Sequence, residues 1–313
     1  MLSPAQLEKH NKSITASKIG AIIGLESAYE SAYSVFRQMS GDIAPEQQDN
    51  MRLAAGNCAE FALEHYCVQY LGYALMKDDK GREHPQYPFL WCLPDRIRIM
   101  PDDAGNLVPV NLIEFKNVDV AFKAEWVENG PPEHIKAQCY FQSMIYDLPN
   151  ELVVQFGGND IKQWAIPRAP ITEKYLLDKA LEFWGDLQSG KVPEPDGHTA
   201  TSEALKLMFP NSCAELVEGN DAQLDMLKEL AECDGVIKAN EIVLEAYKNS
   251  FKEAIGDAEG LIFSDGSKCT WKRTKDGTKF AEDAFAEDYP DMYKEYLIPQ
   301  PGHRRFLYKL KKK

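Results

Sequence analysis

The chain has 313 residues, 44% hydrophobic and 27% charged; this globular composition excludes a mostly disordered polymer and suits one large domain with a smaller appendage. Thirty-five basic against 49 acidic residues leave a net charge of −14, which excludes a generically basic nucleic-acid coat. Contact with DNA would have to use a local basic surface or metal ions.

No stretch approaches 18 consecutive apolar residues, and no basic-then-apolar leader opens the chain. The seven cysteines (Cys58, Cys67, Cys92, Cys139, Cys213, Cys233 and Cys269) are scattered without a CxxC pair. The sequence therefore predicts no membrane span, no secretion signal, no disulfide framework and no zinc or iron–sulfur site, and it suits a cytoplasmic location.

In chain order, Ser13 to Ser17 followed by Ile19, Ile22, Ile23 and Leu25 predicts a short capped helix. Residues 31–39 predict a second helix, stopped near Gly41. Residues 51–71 predict a third, with Leu53, Phe61, Val68 and Leu71 on its apolar face and Gly72 ending it. Residues 89–100 alternate as one strand, turn through 101–106 and return over 107–116. Pro132 opens a helix running to Tyr146. Runs at 152–156 and 161–166 flank Gly157 to Asp160 as a hairpin, and 172–188 closes the region as an amphipathic helix. Helices on both sides of a mixed central sheet make this an α/β fold.

Residues 190–197 hold two prolines and two glycines in eight positions, a linker that divides a domain at 1–195 from an extension at 196–313. Beyond it, Leu230, Ile237, Leu244 and Phe251 fall seven apart, with Leu227 and Ile255 extending the stripe. They predict a long helix with a narrow apolar seam that packs on the first region or another subunit. Asp234 and Glu241 interrupt the second heptad position and argue against a free-standing dimeric coiled coil. A β-hairpin follows around Asp265-Gly266-Ser267. The end is basic: Arg304, Arg305, Lys309, Lys311, Lys312 and Lys313.

The chemistry concentrates in Pro94-Asp95 and Glu114-Phe115-Lys116. Residues two apart on a strand share a face, so Glu114 and Lys116 point one way and Ile113 and Phe115 the other. The turn centres near residues 103–105, which sets Asp95 roughly opposite Glu114. Two carboxylates on an apolar sheet repel unless a cation lies between them, and hard oxygen ligands suit Mg²⁺ or Mn²⁺. Lys116 can then orient or deprotonate a water on the metal, or neutralise charge on an attacked phosphate. Two other acidic-x-Lys triplets, Asp78 to Lys80 and Asp160 to Lys162, lie in a polar run and a turn and lack a partnered upstream Asp.

On these motifs the chain resembles the YqaJ-like viral recombinase family, relatives of lambda exonuclease in the PD-(D/E)xK nuclease superfamily. The resemblance runs over about residues 10–195. It rests on Ser13-Ile14-Thr15-Ala16-Ser17 running to Gly24, on Ser31 to Phe36, on Gly56 to Glu60, on Pro94-Asp95, on Glu114-Phe115-Lys116, and on Gln138 and Gln142. Residues 269–273 also resemble the C-terminal extension of longer members.

The resemblance implies a PD-(D/E)xK core with a C-terminal helix and β-hairpin extension. It implies Mg²⁺, with Mn²⁺ able to substitute, held by Asp95, Glu114 and the Phe115 carbonyl. Lys116 would position the nucleophilic water, Gln138 would support the lysine and substrate, and Glu60 would bind or orient a second metal. Glu64, one turn on, stays open as an alternative to Glu60. A 5′-phosphate would be held at Ser17 and Thr15; His10 stands where lambda exonuclease has an arginine, for which Lys12 or Arg37 would substitute. The implied activity is 5′→3′ digestion of linear double-stranded DNA, leaving 3′ single strands for phage-type recombination. The implied partners are DNA ends, further copies in a ring, and a single-strand annealing recombinase. A ring with an acidic outside and a basic channel would reconcile −14 with DNA binding. Two other readings stay open: a structure-specific or single-strand DNA nuclease in repair, and a non-catalytic DNA-end-binding scaffold. The complete set Glu60, Asp95, Glu114 and Lys116 argues against the last.

Overall fold

A computed structural model describes residues 3–25, 29–44, 51–300 and 302–311; the last two lysines of the basic tail, Lys312 and Lys313, lie outside them. The chain divides into two compact units, Met1–Phe209 and Pro210–Lys313.

The first unit begins with α1 (Pro4–Lys12), a helix absent from the sequence expectations because it buries no residue. A reciprocal capping box of Ser3 and Gln6 starts it. Then come β1 (Ile14–Thr15), α2 (Ala16–Ile22), α3 (Ala32–Met39) and α4 (Met51–Gln69). The strands that follow are β2 (Ala74–Met76), β3 (Arg82–Glu83), β4 (Leu90–Cys92), β5 (Arg96–Pro101) and β6 (Leu107–Val118). After a 3-10 turn come α5 (Lys123–Asn129), α6 (Glu133–Tyr146), the hairpin β7 (Asn150–Phe156) and β8 (Asp160–Ile166), α7 (Pro170–Ser189) and α8 (Thr199–Met208).

The central sheet has the order β2-β5-β6-β7-β8. It is antiparallel except at β6–β7, which pair in parallel because α5 and α6 carry the chain back between them. The fold is therefore mixed α/β. The single strand expected over 89–100 is instead two strands in two sheets: β4 pairs with β1 and β3, and β5 joins the central sheet. Pro94, in the gap, has no N–H to give a ladder and biases its neighbour's backbone, so the alternating run breaks there.

Alternation on β6 sorts its side chains as expected. Leu112 joins Phe141 and Ile145 of α6 in one core, while Ile113 and Phe115 meet Leu63 and Cys67 of α4 on the opposite face. Gly20 brings α2 close to α6: a Cβ there would stand 3.0 Å from the Cβ of His134.

The two units divide fourteen residues beyond the expected seam at 195/196, because α8 stays with the first. Ala204 packs with Tyr33 and Ile43, and the Thr201 hydroxyl lies 2.7 Å from that of Ser31.

The second unit contains α9 (Asp221–Ile255), a hairpin of β9 (Gly260–Ile262) and β10 (Lys268–Thr270), and two short helices, α10 (Glu282–Asp288) and α11 (Pro290–Glu295), which the sequence reading did not separate. Within it, Phe251 meets Phe263 edge-on, and the Tyr308 hydroxyl donates to Asp234 at 2.6 Å. Among the described residues no helix is long and apolar enough to cross a membrane, and all seven cysteines are unpaired.

Candidate active site

The β5–β6 ladder pairs Arg96 with Ile113 and Ile97 with Leu112. Asp95 stands one step beyond the last pair, beside Glu114. Its Oδ2 accepts the Phe115 N–H at 2.7 Å, so the carboxylate closes the ladder in place of a strand carbonyl.

Glu114, only 4% exposed, is the centre of the site. Oε1 accepts from Lys116 Nζ and from Gln138 Nε2, each at 2.6 Å, and Oε2 accepts from Gln142 Nε2 at 2.7 Å. The Lys116 ammonium also donates to Gln138 Oε1 at 3.0 Å. Behind Gln142, Asn150 Nδ2 donates to its Oε1 at 2.6 Å. Gln138 and Gln142 are one turn apart on α6 and so share a face. The parallel pairing of β7 with β6 sets Asn150 level with Leu112.

Charge at the site is unbalanced towards anion. Burial pushes the Asp95 carboxyl well above its usual range, the charges of Glu114 and Glu60 push the same way, and Lys116 and the Phe115 N–H oppose them. Burial lowers Lys116, but Glu114 and Asp95 outweigh it and hold the ammonium above its ordinary value. Lys116 is thus a protonated cation, with its side chain 25% exposed.

On α4, Glu60 is half-buried and forms no ion pair among the described residues, whereas Glu64 is paired with the buried Arg96 guanidinium. That pairing separates the two acids that the sequence left open. His65 is exposed. The competing triplets are occupied elsewhere: Asp160 pairs with Lys123, and Asp78 accepts from the N–H groups of Lys80 and Gly81 and from the Tyr146 hydroxyl.

Among the described residues no three His, Cys, Asp or Glu side chains form a metal-holding group. The donors present nonetheless fit an ion of the Mg²⁺ type, which keeps several waters and takes one or two carboxylates. Asp95 and Glu114 supply those, the Phe115 carbonyl is adjacent in sequence, and the mutual repulsion that raises Asp95 is relieved by a cation.

The candidate end-binding residues divide. Ser17, exposed, lies with its Oγ 3.0 Å from Thr15 Oγ1 and 3.2 Å from His10 Nε2. Thr15 is buried and occupies the N-cap of α2, yet its hydroxyl makes no capping bond, contrary to expectation, because it engages Ser17 and His10 instead. Lys12 pairs with Glu8, and Arg37 pairs with Asp42 and lies over the Tyr33 ring. Burial and the nearby Lys18 charge hold His10 down to about 4, so it is neutral at ordinary pH. Lys18 itself is buried against the carbonyls of His10 and Ser13 and held down to about 8 by burial.

Residues 6–148 match the family model for the YqaJ-like viral recombinase domain. That segment is similar to the YqaJ-like viral recombinase domain. It contains every candidate residue of the site, from His10 to Gln142. No curated protein sequence matches the chain. Among solved structures, an alkaline exonuclease from Laribacter hongkongensis overlays with a TM-score of 0.47 at 15% identity, covering 59% of this chain and 92% of that one. A phage-related exonuclease from Haemophilus somnus 129PT overlays with a TM-score of 0.39 at 15% identity, covering 58% and 98%.

Three residues carry the site without having been assigned a part in it from sequence. Gln142 was visible as a helix-face partner of Gln138. Arg96 follows Asp95 and reads as an ordinary strand charge. Asn150 had no local signal, since only the parallel β6–β7 crossover brings it to Gln142.

Proposed function

We propose that the chain is a metal-dependent exonuclease that hydrolyses linear double-stranded DNA from 5′ to 3′. The observation that carries this reading is the Glu114 cluster: a buried carboxylate fixed on both oxygens by Lys116, Gln138 and Gln142, with Asp95 beside it. The match of residues 6–148 to the family model for the YqaJ-like viral recombinase domain supports it.

Asp95, Glu114 and the Phe115 carbonyl would hold Mg²⁺, with Glu60 the further acid. A divalent cation so bound supplies charge for the phosphate and lowers the pKa of water. The chain's own groups do the rest. Gln142 and Asn150 lock the Glu114 carboxylate so that it cannot rotate. Lys116, protonated, faces solvent beside Gln138, where it would orient the attacking water and neutralise a scissile phosphate oxygen. A 5′-phosphate would meet the Ser17 hydroxyl on α2, with Thr15 and neutral His10 behind it. The same reading includes a cytoplasmic ring of copies around DNA and the hand-over of 3′ single strands to an annealing recombinase. It also takes 196–313 as an extension to the catalytic domain.

Linear duplex labelled separately at each 5′ and 3′ end, with a closed circle as control, tests the reading. Early release of the 5′ label in Mg²⁺, an intact circle, and no cleavage in EDTA or in Ca²⁺ alone are expected. Equal digestion in EDTA would overturn the metal dependence, and early release of the 3′ label would overturn the direction.

A further inference from the structure

Arg96 begins β5, and its side chain crosses to α4. Nη2 donates to Glu64 on that helix, and Nη1 turns back to the Asp95 carbonyl at 2.5 Å. The guanidinium side chain is 8% exposed, and Nε is buried without a partner among the described residues. Each end of this fork touches an element of the active site, yet neither bond belongs to a β-ladder.

The rest of the α4 contact is apolar. Leu63 and Cys67 meet Ile113, Phe115 and Val153, and such contacts are non-directional: they hold the helix on the sheet without setting where each acid points. Glu60 and Glu64 are four residues apart, hence on one stripe of the helix. Two carboxylates so placed are alternative ligands for one cation. The Glu60 charge already reaches both Asp95 and Arg96. The Arg96 hydrogen bond holds the Glu64 carboxyl below its usual range, which keeps it an anion tied to the guanidinium.

We propose that Arg96 is a positioning residue: it latches α4 to the Asp95 backbone through Glu64 and withholds Glu64 from the cation, so that Glu60 is the helix acid presented to the site. This rests on the metal-dependent reading above. It predicts a particular signature for losing the arginine. With Arg96 gone, a positive charge leaves and a freed carboxylate enters the neighbourhood, so a divalent cation should bind more tightly, while turnover falls because the wrong acid reaches it.

The test is Mn²⁺ titration calorimetry on the full chain without DNA, alongside thermal melts and steady-state kinetics on duplex. Arg96→Leu should tighten Mn²⁺ binding and lower kcat, each by about tenfold, with KM changed less than about threefold, the scale expected for a residue behind the ligands. Glu64→Gln should weaken Mn²⁺ binding, since it leaves the guanidinium unpaired. Arg96→Lys should fall between wild type and Arg96→Leu, as a single ammonium cannot fork to both partners. The double variant Arg96→Leu with Glu64→Leu should return Mn²⁺ affinity to near wild type while kcat stays low. If Arg96→Leu fails to fold, the comparison of Arg96→Lys with Glu64→Gln carries the same opposite shifts in affinity. Wild-type binding with unchanged affinity in these variants overturns the proposal alone. Absence of Mn²⁺ binding in the wild type overturns the metal reading, and the proposal with it.

Discussion

Glu114 accepts three hydrogen bonds on two buried oxygens, so each donor that is removed leaves an unsatisfied anion at a cost of about 1–3 kcal/mol. Gln142→Leu should therefore lower both melting temperature and turnover, whereas an equivalent change on an exposed face of α6 should alter neither; calorimetric melts and initial rates decide. Glu114→Ala and Lys116→Ala should each reduce turnover by at least ~10²-fold, the scale for losing a charge-stabilising group. Asp160→Ala should stay near wild type, because that acid pairs with Lys123 away from the cluster. A silent Glu114→Ala with a damaging Asp160→Ala would identify the other triplet as the functional one. His10 gives a pH dependence. Its folded pKa of about 4 lies below the ordinary 6.5, so between those values the unfolded chain binds more protons. Stability should fall as pH drops from 6.5 towards 4, and His10→Asn should flatten that slope in thermal melts. Parallel curves for the two proteins would place the acid sensitivity elsewhere. Any gain in 5′-phosphate preference from protonating His10 then belongs near pH 4, below ordinary assay conditions.

Elements that bury a regular stripe were legible from sequence: α6, α7 and the hairpin β7–β8 lie close to where periodicity set them. Helix α4 has nearly the expected span but buries Ala59, Leu63 and Cys67, leaving the expected face residues Leu53, Phe61 and Val68 exposed. Those that bury little were not, and α1, α5, α10 and α11 contribute at most one buried residue each. The break between β4 and β5 was hidden because an unbroken apolar run from Phe89 to Pro94 leads straight into the alternating residues 96–100, and only pairing partners reveal two sheets. The site divides the same way. Asp95, Glu114 and Lys116 follow from strand period and turn length, whereas the distinction between Glu60 and Glu64 depends on Arg96 and the place of Asn150 on a crossover, neither of which has a local pattern. At this scale Gly20 is the sensitive joint. Gly20→Val should overpack the α2–α6 contact and cost about 1–3 kcal/mol, read as a lowered melting temperature. An unchanged melt would mean that α2 can rise off α6 without penalty.

Across the whole molecule the boundary of the first unit is itself testable. A chain ending at residue 209 keeps Thr201 and Ala204 against α3, while one ending at 195 exposes Tyr33 and Ile43. The shorter chain should melt lower and be digested sooner by protease; equal melts would assign α8 to the second unit. A charge of −14 sets a second expectation, that binding to duplex should depend on few local cations and on added divalent ions. Finally, the glycine-thin contact of α2 with α6 would join the two proposed tasks. Ser17 rides on one helix and Gln138 on the other, and neither can slide without moving its partner. A phosphate gripped at the first and a bond opened beside the second would be separated by an interval that the protein does not stretch. Such a chain would act as a gauge: the length of each released fragment would be fixed by that interval whatever the bases, and every new end would arrive at the grip in the same register as the last.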